Sequence, residues 1–190
     1  PLLLADWLGD GATQLTGSRL TFVVDQFDNR ESTSTWLRPA VGQAAYIQAG
    51  GADGDYTIPG GGGYARHGYA AANLSRVSLA LLGSESMVAR TSWVAGQALT
   101  GTGEVVFDLL VRDDGTGANH YGLRLEVDLA NSTIDLKLIE RSAGSAVALI
   151  TSNDALTYVY GHIFEMICQI DTANLVLRGK AWDSDTSIEP

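Results

Sequence analysis

Glu126 and Asp128 stand two residues apart in the run His120-Tyr-Gly-Leu-Arg-Leu-Glu-Val-Asp128. On a β-strand that spacing turns both carboxylates to one face, about 6.6–6.8 Å apart. The gap falls near the short end of the separation at which one carboxyl protonates a leaving group while the other activates a water. The next position in the same register is Ala130, so no third acid joins them, and Arg124 flanks the pair with the opposite charge. A solvated sheet face explains that pattern better than hydrolysis, and no catalytic residue is assigned. The same side chains suit sugar recognition, in which hydroxyl groups need paired donors and acceptors and C–H faces stack on aromatic rings. Arg124, Glu126, Asp128 and His120 are therefore the expected glycan-binding residues, with Trp36 as a ring beside them. Tyr56, Tyr64, Trp93 and Trp182 are further rings, although large aromatics fill cores or rims more often than they carry ligands.

Other chemistry is thinly supplied. His67, His120 and His162 fall in turn-like or strand-edge contexts, and there is no G-x-S-x-G elbow to present a nucleophilic serine. The glycines at 60–63 are followed by Tyr64-Ala-Arg-His, which does not open a helix, so they read as a turn and not a phosphate cradle. Calcium would need six to eight oxygens. Asp113, Asp114 and Asn119 form one oxygen-rich loop, and Asp25/Asp28/Asn29 and Asp183/Asp185 form two others, none with EF-hand spacing. Asp114-Gly115 suits a tight hairpin turn. A structural Ca²⁺ on Asp113, Asp114 and Asn119 is the weak candidate; no other cofactor is expected. The single cysteine, Cys168, sits on an apolar register and reads as a small buried hydrophobe, leaving no disulfide framework.

The elements that must position these residues are strands. Val105, Phe107, Leu109 and Val111 alternate with more polar neighbours, as do Tyr121 to Leu129, Ile134 to Leu138 and Phe164 to Ile170. A period of two places one face on a core and the other in water. Further strands are expected at Arg19–Asp25, Ala44–Gln48, Tyr56–Ile58, Val77–Leu82 and Ser86–Trp93, with weak alternation over Tyr64–Leu74. No apolar stripe of helical period persists beyond two turns. Consecutive strands with turn chemistry between them predict an all-β, antiparallel two-sheet sandwich with little helix. The polar, glycine-dotted stretch 1–18 reads as an arm or linker, and 19–190 as one domain.

Composition narrows the partners. The chain has 190 residues, 45% apolar and 18% charged, enough to fill one core and too apolar for a disordered chain. A net charge of −10 repels phosphate backbones and anionic lipid, and the arginines form no patch, so neither nucleic acid nor membrane insertion is expected. No apolar run approaches the roughly 20 residues of a membrane-spanning helix. The start at Pro1 without Met and the end at Glu189-Pro190 read as an excised piece of a longer protein.

Several segments together carry a resemblance. They are Asp25-Gln-Phe-Asp-Asn-Arg30 followed by Trp36, Asp55-Tyr-Thr-Ile-Pro-Gly-Gly-Gly-Gly63, Val105-Val-Phe-Asp-Leu-Leu-Val-Arg112, the hairpin His120 to Val127 and Ile134 to Ile139, and Leu175-Val-Leu-Arg-Gly-Lys-Ala-Trp182 running to Pro190. In this order they resemble the concanavalin A-like jelly-roll domain of minor tail proteins of phages that infect actinobacteria. The likeness spans roughly 22–190. It implies a jelly roll, a virion (phage tail) and hence extracellular location, and a non-enzymatic structural role at or near the tail tip. It also implies a contribution to host attachment through a cell-surface glycan. Partners would be other tail proteins and copies of the same chain, a trimer being the expected oligomer. The fold also hosts other functions. A carbohydrate-binding module of a secreted or cell-wall-active protein is the alternative, and a glycan hydrolase a more distant one that retaining jelly-roll glucanases, with Glu-x-Asp-x-Glu on one strand, make concrete.

Overall fold

The computed structural model describes residues 46–49, 56–58, 66–67, 76–79, 86–95, 98–112, 118–174 and 176–189. The chain divides into two compact units, Pro1–Leu81 and Leu82–Pro190. In the first, the strands are β1 (Tyr46–Ala49), β2 (Tyr56–Thr57), β3 (Arg66–His67) and β4 (Arg76–Leu79). β1 pairs antiparallel with β4, and β2 with β3. The strand expected at Arg19–Asp25, the 1–18 arm and the glycines at 60–63 lie outside the described residues.

The second unit is an antiparallel β-sandwich, as the alternation predicts, and no described residue is helical. Its strands are β5 (Met87–Trp93), β6 (Glu104–Val111), β7 (His120–Asp128), β8 (Thr133–Ser142), β9 (Ser145–Thr157), β10 (Phe164–Asp171) and β11 (Val176–Asp183). One sheet has the order β6-β7-β8-β9 and the other β11-β10-β5. The sheets face each other with β10 over β6 and β7, β5 over β6, and β11 over β7 and β8.

The core sits where the two apolar registers meet. Leu123, Leu125 and Val127 of β7 and Ile134 of β8 face Phe164, Met166, Cys168 and Ile170 of β10, and all are buried. At one end the Trp93 ring lies between Phe107, at a centroid distance of 4.0 Å, and Phe164, at 4.9 Å. Gly179 sets how closely β11 approaches the other sheet. A Cβ there would stand 2.8 Å from Leu138 Cδ2 and 2.9 Å from Leu123 Cδ1, closer than carbon atoms pack. Burial also explains Cys168, whose thiol is pushed up to about 12 by loss of solvent.

β9 was not foreseen from periodicity. Its residues are exposed over almost its whole length, so it has no buried face to impose alternation. Its pairing with β8 is also irregular, with register shifts near Ile134/Leu136 and Leu138/Ile139. Asp154 adopts φ 49° within it, a left-handed conformation that Asp tolerates better than most residues. The Asp154 N–H donates to Asp135 Oδ1 at 2.8 Å and secures the bulge to β8.

Candidate functional site

Alternation along β7 sends Leu123, Leu125 and Val127 inward and leaves Arg124, Glu126 and Asp128 on the outer face, half-buried among their neighbours. Antiparallel register then adds groups from adjoining strands. Glu104 stands opposite Asp128, Glu126 opposite Asp135, and Asp128 opposite Thr133. The bulged part of β9 brings in Asn153 and Asp154. These seven residues, Glu104, Glu126, Asp128, Thr133, Asp135, Asn153 and Asp154, line a shallow recess of about 340 Å³ that crosses all four strands.

Five of the seven are acids, and the two acid-opposite-acid pairs cost stability that unlike pairs would not. Lys137 offsets part of this charge: its Nζ lies 2.5 Å from Glu126 Oε1. Asp128 is tied to the turn that follows it. Its Oδ1 accepts the Ala130 N–H at 2.8 Å and its Oδ2 accepts from Asn131 Nδ2 at 2.7 Å. The hydrogen bond from the Asn131 side chain, then that from the Ala130 amide, holds the Asp128 carboxyl below the usual carboxylate range. A general acid requires the opposite displacement. The recess is thus a fixed array of acceptors, able to receive hydroxyl or ammonium donors.

Arg124 is committed elsewhere on the same face. Its Nε donates to Asp108 Oδ1 at 2.8 Å and its Nη2 to Asp108 Oδ2 at 2.9 Å, a two-point grip across β6 and β7. That grip, opposed by desolvation, raises the guanidinium pKa above its ordinary value. His120 follows the same register but is only 5% exposed, so it does not join Glu126 and Asp128 on the open surface. Trp36, Asp113 and Asp114 lie outside the described residues. Asn119, the third oxygen considered for calcium, uses its Oδ1 to accept the Ala143 N–H at 3.0 Å, bracing the β8–β9 turn.

Trp93, Tyr158 and Trp182 are not among the residues that line the recess. Trp93 is in the core stack, and Tyr158 stacks on Phe164 at 6.3 Å. Trp182 is buried on the outer face of the three-stranded sheet, beneath Arg90 at 5.4 Å and Lys180 at 5.6 Å. Glu189 ties both cations together, to Arg90 at 3.4 Å and Lys180 at 2.7 Å.

A second cluster gathers His162, Asp183 and Asp185, whose ligand atoms lie within 4.8 Å of one another. Sequence reading paired Asp183 with Asp185 and placed His162 in a turn-like or strand-edge context without joining it to them; it reaches them because Phe164 pairs with Asp183. His162 Nδ1 lies 2.7 Å from Asp183 Oδ2, Asp183 Oδ1 accepts the Asp185 N–H at 3.0 Å, and Asp185 Oδ2 accepts the Ile163 N–H at 2.6 Å. The donor set suits a divalent metal in kind. The contacts it makes are equally those of a corner that closes the β10–β11 end without an ion.

Glu104, Thr133, Asp135, Asn153 and Asp154 were missed by sequence reading. Glu104 and Asp135 were recoverable in principle, since each follows from extending the β7 alternation across its neighbours. Asn153 and Asp154 depend on the bulge and left no periodic signal.

No protein-family model matches the chain, and no curated protein sequence matches it.

Proposed function

We propose that the protein is a non-enzymatic virion component, a minor tail protein domain at or near a phage tail tip. In this reading it contributes to host attachment by holding a glycan against the outer face of its four-stranded sheet. The resemblance of the segments quoted above supports the phage-tail part of the reading, with an extracellular virion location and other tail proteins as partners.

The observation that carries the attachment part is the recess over β6, β7, β8 and β9, where Glu104, Glu126, Asp128, Thr133, Asp135, Asn153 and Asp154 offer side-chain oxygens. A recess this shallow suits a stretch of polymer laid across the strands. Its acceptors match sugar hydroxyls and amines, and its charge disfavours phosphate-bearing or uronate-rich polymers, so a neutral or amino-bearing wall glycan is the expected ligand. None of the described residues that line it is aromatic, so among them affinity per site rests on hydrogen bonds and is weak. Several copies on one tail would compound it.

The ties of Asp128 to Asn131 and of Glu126 to Lys137 favour binding over hydrolysis. Each joins its carboxylate to a neighbouring donor, and at Asp128 the Asn131 side chain and the Ala130 amide keep the group below the usual carboxylate range. The test is co-sedimentation of the purified chain with isolated actinobacterial cell walls, alongside an array of neutral, amino-bearing and anionic glycans. Retention on walls and on neutral or amino-bearing glycans without release of reducing sugar is the expected result. Absence of binding to every wall and glycan would remove the attachment role and leave an architectural one.

A further inference from the structure

Asp183 is the one buried acid among the described residues, at 6% exposed. It stands opposite Phe164 and shares that ring's inward register, so its carboxylate closes one end of the apolar core. Burying a carboxylate is costly unless a counter-charge comes with it. Elsewhere in the sandwich Glu126 has Lys137, Asp108 has Arg124, and Glu165 and Glu189 have Arg90. Asp183 has no lysine or arginine among its described partners, and Asp185 beside it adds a second negative charge. The imidazole they share, His162, carries a full positive charge only when protonated. Hydrogen bonds alone fit this corner geometrically, but they leave two acids short of positive charge where one of them is buried.

The corner is also built as ligand sets are built. Asp183 gives Oδ1 to the Asp185 N–H at 3.0 Å, and Asp185 gives Oδ2 to the Ile163 N–H at 2.6 Å. A second hydrogen-bonded partner of this kind is what orients a carboxylate that ligates a metal. Each of the three residues still offers one ligand atom, and those atoms lie within 4.8 Å of one another. A tetrahedral zinc ion, with bonds of about 2.0–2.1 Å, holds its ligands about 3.3 Å apart. His162 Nδ1 and Asp183 Oδ2, now at 2.7 Å, need to open only slightly to admit one.

The donor types select the ion. Calcium takes six to eight oxygens, and two are too few. One imidazole nitrogen and two carboxylate oxygens suit Zn²⁺, with water as the fourth ligand. A cleft of about 350 Å³ beside Asp183, lined also by Leu156, Thr157, Val159 and Thr186, gives that water room. We propose that His162, Asp183 and Asp185 bind a divalent cation of the zinc class, which supplies the missing charge and clamps the open end of the β10–β11 hairpin. None of the three lines the acidic recess, and the inference does not depend on glycan binding.

The test is titration of the chelator-stripped full chain with Zn²⁺ at micromolar protein, followed by calorimetry, and with Co²⁺, followed by visible absorption. One ion per chain, a raised melting temperature and the intense bands of four-coordinate Co²⁺ are the expected results. His162→Gln and Asp185→Asn should each lower affinity by about tenfold or more, since even the orienting partners of a metal ligand are worth that much. Glu165→Gln, a carboxylate on the outer face of the same sheet, should leave it unchanged. His162→Cys keeps a zinc ligand in place, so it should retain binding and add a thiolate-to-cobalt charge-transfer band. No Zn²⁺ binding by the wild type would overturn the proposal. So would full-affinity binding in His162→Gln and Asp185→Asn, or a His162→Cys variant that binds Co²⁺ without the charge-transfer band.

Discussion

Arg124 grips Asp108 through two parallel hydrogen bonds, at 2.8 and 2.9 Å, and so joins β6 to β7 on the face that carries the acidic recess. A planar guanidinium can make both bonds at once and an ammonium cannot. Both side chains are about four-fifths covered, so the pair is screened less than an open surface pair. Arg124→Lys is expected to cost about 1 kcal/mol, read from the urea midpoint. Wall binding should fall little, because the guanidinium is already occupied by Asp108.

The approach of β11 to β7 and β8 at Gly179 gives a steric prediction. Gly179→Ala forces a methyl group against Leu123 and Leu138 and should destabilise by about 1–3 kcal/mol. Gly103→Ala meets nothing within 4 Å and serves as the matched control, with a change near zero. Chemical denaturation of the two variants side by side distinguishes a close-packed sandwich from a loosely stacked one.

Acid should weaken the fold in a defined window. The Asp171 carboxyl is lowered chiefly by the Asn174 side chain, and Asp128 by Asn131. At Asp183 burial pushes the carboxyl up, but His162 and the Asp185 amide outweigh it and leave it below its ordinary value. A carboxyl whose folded pKa is depressed stabilises the fold fully above its unfolded pKa, about 3.9, and that contribution is lost as pH falls through the folded value. Urea midpoints should therefore hold from pH 7 to about 5 and then drop below about 4. Asp171→Asn and Asp183→Asn should each flatten the drop. An unchanged slope in both would show that these hydrogen bonds do not persist in solution.

Cys168 reports on global opening. Its thiol is buried in the β10 register and is pushed up to about 12, so almost no thiolate exists at neutral pH. Labelling by an aromatic disulfide reagent at pH 8 should be negligible in the native protein and complete in denaturant. Its slow native rate should rise with every destabilising variant above. Fast labelling of the folded chain would contradict the packing of β10.

Much of the sandwich was legible because burial writes a period of two into a sequence. β6, β7, β8 and β10 each keep one dry register, and their residues show it, although Ile139 of β8 and Ile167 of β10 are buried on the opposite register too. β9 has no dry face and stayed hidden, although it completes the recess. The candidate site divides in the same way. Glu126 and Asp128 were visible because they share a strand, whereas Glu104 and Asp135 reach them only through register. His120 carried the right parity for the open face, but parity says nothing of what lies above a side chain, and it is buried. Arg124 was visible as a charge; its capture by Asp108 was not, because the partner sits 16 residues earlier.

The claim that the outer face of the four-stranded sheet is the attachment surface is tested most directly by wall binding of Glu104→Gln together with Asp135→Asn. Both substitutions keep an oxygen acceptor and remove the acids opposite Asp128 and Glu126, so stability should hold or rise slightly as repulsion is relieved. Affinity for walls should fall by about tenfold per lost charge-assisted hydrogen bond. Wall binding that is unchanged in this double variant, with the fold intact, would contradict the account.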